Sequence, residues 1–459
     1  MVNCTYFDPY ARPLYVMAKP AGPMCNLACD YCYYLEKSTL YPNPQPPSGS
    51  LPSKASQVPC DSPQGHSSLF TLHSSLMSDA LLERFVSQYI ASQSQQEVLF
   101  TWHGGEPLMR DLAFYRRAVE LQRRYANGHV IDNCIQTNGT LLTDEHCRFF
   151  HDNGWLVGIS IDGPQELHDA CRKNRAGAPT FHKVMRGIEL LKKHNVEWNA
   201  MAVVNAINAE HPKEFYRFFK DIDCKYIQFA PIVERTVHHD DGRTLAHIMD
   251  PIDAPLTPLS VTPQQWGNFL CALFDEWVKE DVGEVFVQLF EATLANWCGV
   301  TPGVCTLGKA CGHVAVMEYN GDVYSCDHFV FPEYRLGNLS EHTFLEMMYG
   351  EQQSRFAQLK LQLPGQCRRC QYLFACNGEC PKNRFLVTPD GEYGLNYLCE
   401  GYRRYFEHVA PFMEEMKKQL ASGAYLIKSH TVKSLQCTRP AGAKAYSEHP
   451  RGTWASSPA

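Results

Sequence analysis

Three cysteines at x3 and x2 spacing, Cys25-Asn26-Leu27-Ala28-Cys29-Asp30-Tyr31-Cys32, follow closely on the apolar run at 14–17. Three thiolates on one tight loop make an incomplete set. A structural metal site takes four protein ligands, because tetrahedral zinc or an iron–sulfur cube capped at every corner leaves no open position. Three leave one iron free for another group. Zinc sites and redox dithiols also use close cysteine pairs, but the third cysteine at x3 weakens both of those readings.

At 459 residues the chain can hold two to three folded units of roughly 100 to 200 residues each. Hydrophobic residues at 44% and charged residues at 20% are ordinary for a soluble globular protein, and the net charge of -7 gives no basic footprint for nucleic acid. No apolar stretch approaches the roughly 18 to 20 uncharged residues of a bilayer span, and the opening MVNCTYFDPYARPLY has no charged-then-apolar signal region. A cytoplasmic chain is expected, with no nucleic-acid and no membrane partner. Twenty cysteines then point to metal rather than to disulfides. Cys4, Cys60, Cys134, Cys147, Cys171, Cys224, Cys271, Cys298 and Cys437 have no ligand-like neighbours and are expected to be small hydrophobes.

Residues 12–20 read as a first strand, and the cluster loop follows it. The Pro- and Ser-rich stretch 38–76 cannot bury a core and reads as an inserted, mostly disordered loop. From an amphipathic helix opening at Met77-Ser78-Asp79, helices alternate with strands at 97–102, 130–136, 156–161, 197–204 and 226–229. Six strands with five crossovers predict an α/β fold over residues 1–240, a partial (β/α)6 TIM-like barrel whose functional groups gather at the carboxyl ends of the strands. Four marked turns fall there: the cysteine loop, Gly104-Gly105-Glu106-Pro107, Gln136-Thr137-Asn138-Gly139 and Ser160-Ile161-Asp162-Gly163. After strand two, the glycines allow backbone carbonyls to approach a ligand, and Glu106 can accept from an amino group.

Helices at 264–279 and 285–297 fill a linker region, 241–300. Eight cysteines then crowd into 301–415: Cys305-x5-Cys311, Cys326, Cys367-x2-Cys370-x5-Cys376-x3-Cys380, and Cys399. Between Cys311 and Cys326, segments 314–319 and 322–325 flank Asn320-Gly321, a type I′ hairpin signal. Eight cysteines make two sets of four, which suits two fully ligated iron–sulfur clusters or two zinc sites. An amphipathic helix at 402–420 closes the fold, and 422–459 reads as a disordered tail.

The loop with Tyr31 before its last cysteine resembles that of the radical S-adenosylmethionine enzymes. There the free iron is chelated by the amino and carboxylate groups of S-adenosylmethionine, and an electron from the cluster cleaves it to a 5′-deoxyadenosyl radical. The resemblance implies that Gly104, Gly105 and Glu106 hold the methionine amino group, that Ser160 and Arg172 contact its carboxylate and the ribose, and that Val233 lies against the adenine; Arg175 stands close to Arg172 in the sequence. The later run C-x9-G-x4-C, gap, C-x2-C-x5-C-x3-C, gap, C resembles the SPASM extension of peptide-modifying radical enzymes, with Cys305 as an eighth ligand. It implies one auxiliary cluster on Cys305, Cys311, Cys326 and Cys380 and another on Cys367, Cys370, Cys376 and Cys399, so three [4Fe-4S] clusters with the one on Cys25, Cys29 and Cys32.

Asp327, directly after Cys326, narrows the resemblance to the anaerobic sulfatase-maturating enzymes, and the opening FxPxARPLYVMxKPxGPxCNLxCxYCYYLEK is similar to theirs. The likeness runs over about 5–415, broken by 38–76. It implies oxidation of a Cys or Ser in an unfolded sulfatase segment, Cys/Ser-x-Pro/Ala-x-Arg, to Cα-formylglycine, with Asp327 taking the heteroatom proton and a small protein such as flavodoxin or ferredoxin supplying electrons. The rival readings are a thioether-forming SPASM maturase, which has no evident use for the Cys-Asp pair, and a zinc-stabilised binding protein.

Overall fold

The computed structural model describes residues 14–37, 76–239, 244–246 and 250–422. Nearly all of the expected insert, the tail beyond 422, and Cys4, Cys60 and Cys437 lie outside the described residues.

Ten strands make one sheet in the order β10-β9-β8-β1-β2-β3-β4-β5-β6-β7. They are β1 (Tyr15–Ala18), β2 (Glu97–Trp102), β3 (Val130–Thr137), β4 (Leu156–Ser160), β5 (Trp198–Val204), β6 (Tyr226–Pro231), β7 (Phe286–Val287), β8 (Val314–Met317), β9 (Asp322–Tyr324) and β10 (Arg335–Asn338). Every neighbouring pair from β8 through β1 to β7 is parallel, and the β8–β9 and β9–β10 pairs are antiparallel. The order has two ends, so the expected partial barrel is an open one.

Helices between successive strands follow from local sequence. The Ser78 side chain accepts from the Leu81 N–H and caps the helix Asp79–Ala91, whose Leu82, Phe85, Val86, Tyr89 and Ile90 recur at helical spacing and are buried. Phe85 meets Phe100 and Trp102 of β2 edge-on, with ring centroids 5.5 and 5.9 Å apart. Each such buried side chain contributes about 1.5–3 kcal/mol of transfer free energy. On the far side, Thr262 forms a capping box with Gln265 and starts the helix Pro263–Glu280.

Two strands of this sheet, β7 and β10, went unforeseen, and so did the partner of β8. β7 extends the parallel set beyond β6, and β8 adds to its other side by pairing with β1, Tyr15 opposite Val314 through Ala18 opposite Met317. The hairpin that opens the cysteine-rich segment is therefore part of the main sheet. Its turn also differs from the expected type I′. Gly321 has φ +89° while Asn320 is not left-handed, and the Gly321 N–H donates to the Glu318 carbonyl at 3.0 Å. The connection is three residues long with glycine at the bulge position, because Glu318 and Asp322 still pair through an N–H···O bond of 2.9 Å. Beyond β1, the Lys19 N–H donates to the Met317 carbonyl at 2.9 Å. Lys19 and Glu318 thus leave the sheet side by side.

Candidate active site

The three-cysteine loop leaves β1 and is held from three sides. The Ala28 and Asp30 N–H groups donate to the carbonyls of Lys173 and Cys171 at 2.9 and 3.0 Å, and Arg175 Nε donates to the Cys25 carbonyl at 2.8 Å. Asn26 donates to Thr140 Oγ1 and accepts from Asn138 Nδ2, both at 2.9 Å, which ties the loop to the end of β3. Burial pushes the Cys25 and Cys29 thiols up to about 12, and each lies in the field of the other two cysteines or of Cys32 alone. Cluster binding must therefore displace protons from these sulfurs.

The turn after β2 packs on this loop. The N–H groups of Gly105 and Glu106 donate to the carbonyls of Gly22 and Met24, both at 2.8 Å. A Cβ at Gly105 would lie 2.3 Å from the Met24 oxygen, and one at Gly104 would lie 2.8 Å from the Gly22 oxygen. The glycines read as room for a ligand are also what lets two loops touch. Glu106 is fully buried; its oxygens accept from Leu108 N, Thr137 Oγ1 and Asn138 N at 2.9, 2.7 and 2.8 Å. Burial outweighs those donors and pushes its carboxyl up to about 7.

At the end of β4, Ser160 Oγ accepts from Gln136 Nε2 at 3.0 Å. Asp162, buried, gathers the next group: Arg172 Nε is 2.9 Å from its Oδ2, the Tyr31 hydroxyl donates to the same oxygen, and the Val203 N–H donates to Oδ1 at 2.9 Å. Tyr31 and Arg172 are thereby brought together, whereas the neighbouring Arg175 serves the loop backbone. Val233 is buried beyond β6, and its carbonyl accepts from Lys382 Nζ at 3.0 Å.

Asp327 lies in the first turn after Cys326 and is 1% exposed. Lys19 Nζ lies 2.6 Å from its Oδ1 and Lys37 Nζ 3.8 Å away. Tyr33 donates to Oδ2 at 2.7 Å, and Tyr34 donates to the same oxygen while touching His103 Nδ1 at 3.1 Å. Burial alone would raise this carboxyl, but Lys19, Lys37 and His103 outweigh it and hold it well below the usual carboxylate range. Burial pushes Lys37 down to about 8 and His103 down to about 4. Behind Lys19 stands Glu318, at 2.9 Å.

Among the described residues no three His, Cys, Asp or Glu side chains converge as the ligands of one metal ion do. The eight later thiols nevertheless divide by proximity. Cys326 lies in the field of Cys305, Cys380 and Cys311, and Cys380 in that of Cys311 and Cys305. Cys399 lies in the field of Cys367 and Cys370, and Cys376 in that of Cys399. Two groups of half-buried thiols suit iron–sulfur chemistry, in which cysteine sulfurs hold the iron.

Lys19, Glu318, Tyr33, Tyr34, Lys37 and His103 are the residues to which sequence reasoning gave no role, and Asp162 stood out there only as part of a marked turn. A signal existed for Lys19, a charge closing an apolar strand, since lysine is almost never fully buried unless paired.

This open parallel sheet with a three-thiol loop at one strand end and eight thiols in its extension defines a radical S-adenosylmethionine enzyme with auxiliary clusters. Residues 20–219 match the Radical SAM superfamily, and residues 305–371 match an iron-sulfur cluster-binding domain, SPASM. The chain is 61% identical over 421 residues to a serine-type anaerobic sulfatase-maturating enzyme of Bacteroides thetaiotaomicron, covering 91% of this chain and 95% of that one. It is 31% identical to a cysteine-type enzyme of Clostridium perfringens, covering 87% and 97%. Among solved structures, native anSMEcpe with bound AdoMet and Cp18Cys peptide superposes with a TM-score of 0.72 at 29% identity, covering 89% of this chain and 100% of that one.

The chain belongs to the anaerobic sulfatase-maturating enzymes, radical S-adenosylmethionine oxidoreductases that form Cα-formylglycine on a sulfatase and work with [4Fe-4S] clusters. The thioether-forming and zinc-binding readings fall away with that membership. No helix among the described residues is long and apolar enough to cross a membrane.

Proposed function

We propose that this enzyme oxidises a serine of its sulfatase, with Asp327 as the base. The observation that carries the base assignment is a buried carboxylate kept ionised by Lys19 and Lys37 directly beside Cys326. The serine preference is supported by the 61% identity to a serine-type enzyme against 31% to a cysteine-type one.

Turning –CH2OH into –CHO removes one hydrogen atom from carbon, one proton from oxygen and one further electron. When bound, S-adenosylmethionine and its cluster supply the 5′-deoxyadenosyl radical that takes the hydrogen atom, and an auxiliary cluster takes the electron. Asp327 accepts the proton. A weak base suffices, because an oxygen losing its proton as the carbon radical gives up an electron is far more acidic than an alcohol. Tyr33 and Tyr34 fix Oδ2, and Lys19 fixes Oδ1, so the carboxylate does not reorganise during the step.

In this reading Cys25, Cys29 and Cys32 hold the radical cluster, and the thiol groups 305/311/326/380 and 367/370/376/399 hold the two auxiliary ones. The turn at Gly104, Gly105 and Glu106 faces the methionine amino group, Ser160 and Arg172 its carboxylate and ribose, and Val233 the adenine, with Tyr31 fixed by Asp162. The barrel part spans 1–240 and the cluster extension 301–415, with 241–300 linking them. A flavodoxin- or ferredoxin-like donor delivers single electrons, and the thiol-rich chain suits the reducing cytoplasm.

The test is mass spectrometry of paired sulfatase peptides, Ser-x-Pro-x-Arg and Cys-x-Pro-x-Arg, after anaerobic incubation with reconstituted enzyme, S-adenosylmethionine and reductant. Formylglycine from the serine peptide, lost about 10²- to 10⁴-fold in Asp327→Asn while S-adenosylmethionine is still cleaved, is the expected result. Turnover of the cysteine peptide alone overturns the serine assignment, and an unimpaired variant overturns the base.

A further inference from the structure

Two buried cations stand among the auxiliary thiols without an ion-pair partner among the described residues. Lys360 is 1% exposed, and its Nζ donates to the carbonyls of Cys305, Thr306 and Glu379 at 3.2, 2.6 and 2.7 Å. Arg384, 3% exposed, donates to the carbonyls of Leu359, Lys360, Gln362, Asn377, Gly378 and Glu379 at 2.7 to 3.3 Å. The nearby Glu379 carboxylate turns instead to Asn383 and Asn396, at 3.2 and 2.5 Å.

Carbonyl oxygens satisfy the donors of these cations but not their charge, and a buried charge is costly unless opposite charge stands near it. The groups around them are the buried Glu379 carboxylate, which lies in the field of both, and the auxiliary sulfurs. Lys360 acts on Cys305, Cys311, Cys376 and Cys380, and Arg384 on Cys311 and Cys367. A four-iron cube on four thiolates is an anion whose charge grows by one on reduction. A fixed cation at its edge therefore favours the reduced form.

We propose that Lys360, steadied by Arg384, raises the reduction potential of the cluster held by Cys305, Cys311, Cys326 and Cys380, so that this cluster accepts the electron released beside Asp327. The inference rests on that ligand assignment. The electron leaves the substrate carbon radical as Asp327 takes the proton; the carbon becomes the aldehyde and the cluster is reduced by one electron. Arg384 holds the Lys360 carbonyl at 3.1 Å and three carbonyls of the stretch between Cys376 and Cys380, which fixes where the ammonium sits.

The experiment is an EPR-monitored redox titration of the reconstituted full-length enzyme with Lys360→Gln, Lys360→Arg and Arg384→Gln, reading iron content beside it. At the wild-type midpoint, Lys360→Gln is expected to lower the reduced-to-oxidised ratio of one auxiliary signal at least about tenfold, a fall of about 59 mV for one electron, with iron content kept. Lys360→Arg is expected to restore it. A full iron load with an unchanged potential in Lys360→Gln overturns the proposal. If that variant loses iron, Arg384→Gln gives the same reading, and loss of iron in both makes these cations loop clamps and overturns it as well. Cys305→Ala separates the underlying assignment: if the signal that shifts in Lys360→Gln survives Cys305→Ala, the ligand set is wrong although the cation still sets a potential.

Discussion

Lys19 Nζ and Asp327 Oδ1 lie 2.6 Å apart, both side chains fully buried, one at the end of the first strand and the other beyond the ninth. Breaking a buried pair by removing one partner leaves the other charge uncompensated. Lys19→Met should therefore raise the Asp327 carboxyl, which Lys19 and Lys37 otherwise hold low against burial. A base needed as carboxylate then fails at higher pH as the solution is acidified. The acid limb of kcat for peptide oxidation is expected to move up by about one pH unit or more, while Lys19→Arg keeps it in place.

Glu106 titrates at about 7 in the fold instead of its ordinary 4.5, through burial. A raised carboxyl favours the folded chain below its unfolded pKa, and that contribution is lost as pH rises through the folded value. Between pH 4.5 and 7 the loss amounts to roughly 3 kcal/mol. Urea unfolding of wild type and Glu106→Gln at pH 5 and pH 8 checks this: the variant should lose less stability on going to pH 8.

Gly105 has no room for a side chain against Met24 and Pro23. Gly105→Ala should force the turn after β2 off the cluster loop, lowering stability by about 1–3 kcal/mol as overpacking does. Thermal unfolding measures that cost. Iron content of a protein carrying only the three-thiol site should fall with it, because the Gly105 and Glu106 N–H bonds to the loop are lost together.

Asp162 holds Arg172 and Tyr31 on one oxygen. Asp162→Asn keeps the shape but leaves a buried guanidinium without its anion, a cost of about 3–5 kcal/mol for a fully broken pair. Calorimetric titration with S-adenosylmethionine should show at least about tenfold weaker binding, whereas Lys173→Ala, which removes only an exposed pair with Asp30, should leave it unchanged.

Much of this enzyme is written in short-range pattern. Alternating strands and helices, glycines at strand ends and the x3, x2 cysteine spacing are local signals, and β2 through β6 with their marked turns lie where those signals put them. Cys326 also stood out from spacing, and Asp327 beside it from the family resemblance, since adjacent residues need no fold to be neighbours. What surrounds Asp327 was not legible. Lys19, Tyr33, Tyr34 and Lys37 reach it only because β8 pairs in parallel with β1, register Ala18 to Met317, and delivers the later segment onto the first loop. Neither strand carries a local mark of that pairing, for sheet register is decided by which faces can be buried together. The sequence alone determined the chemistry the thiols can do. Only the tertiary structure decided which charges surround the base, because contacts between distant segments depend on packing that no periodicity encodes.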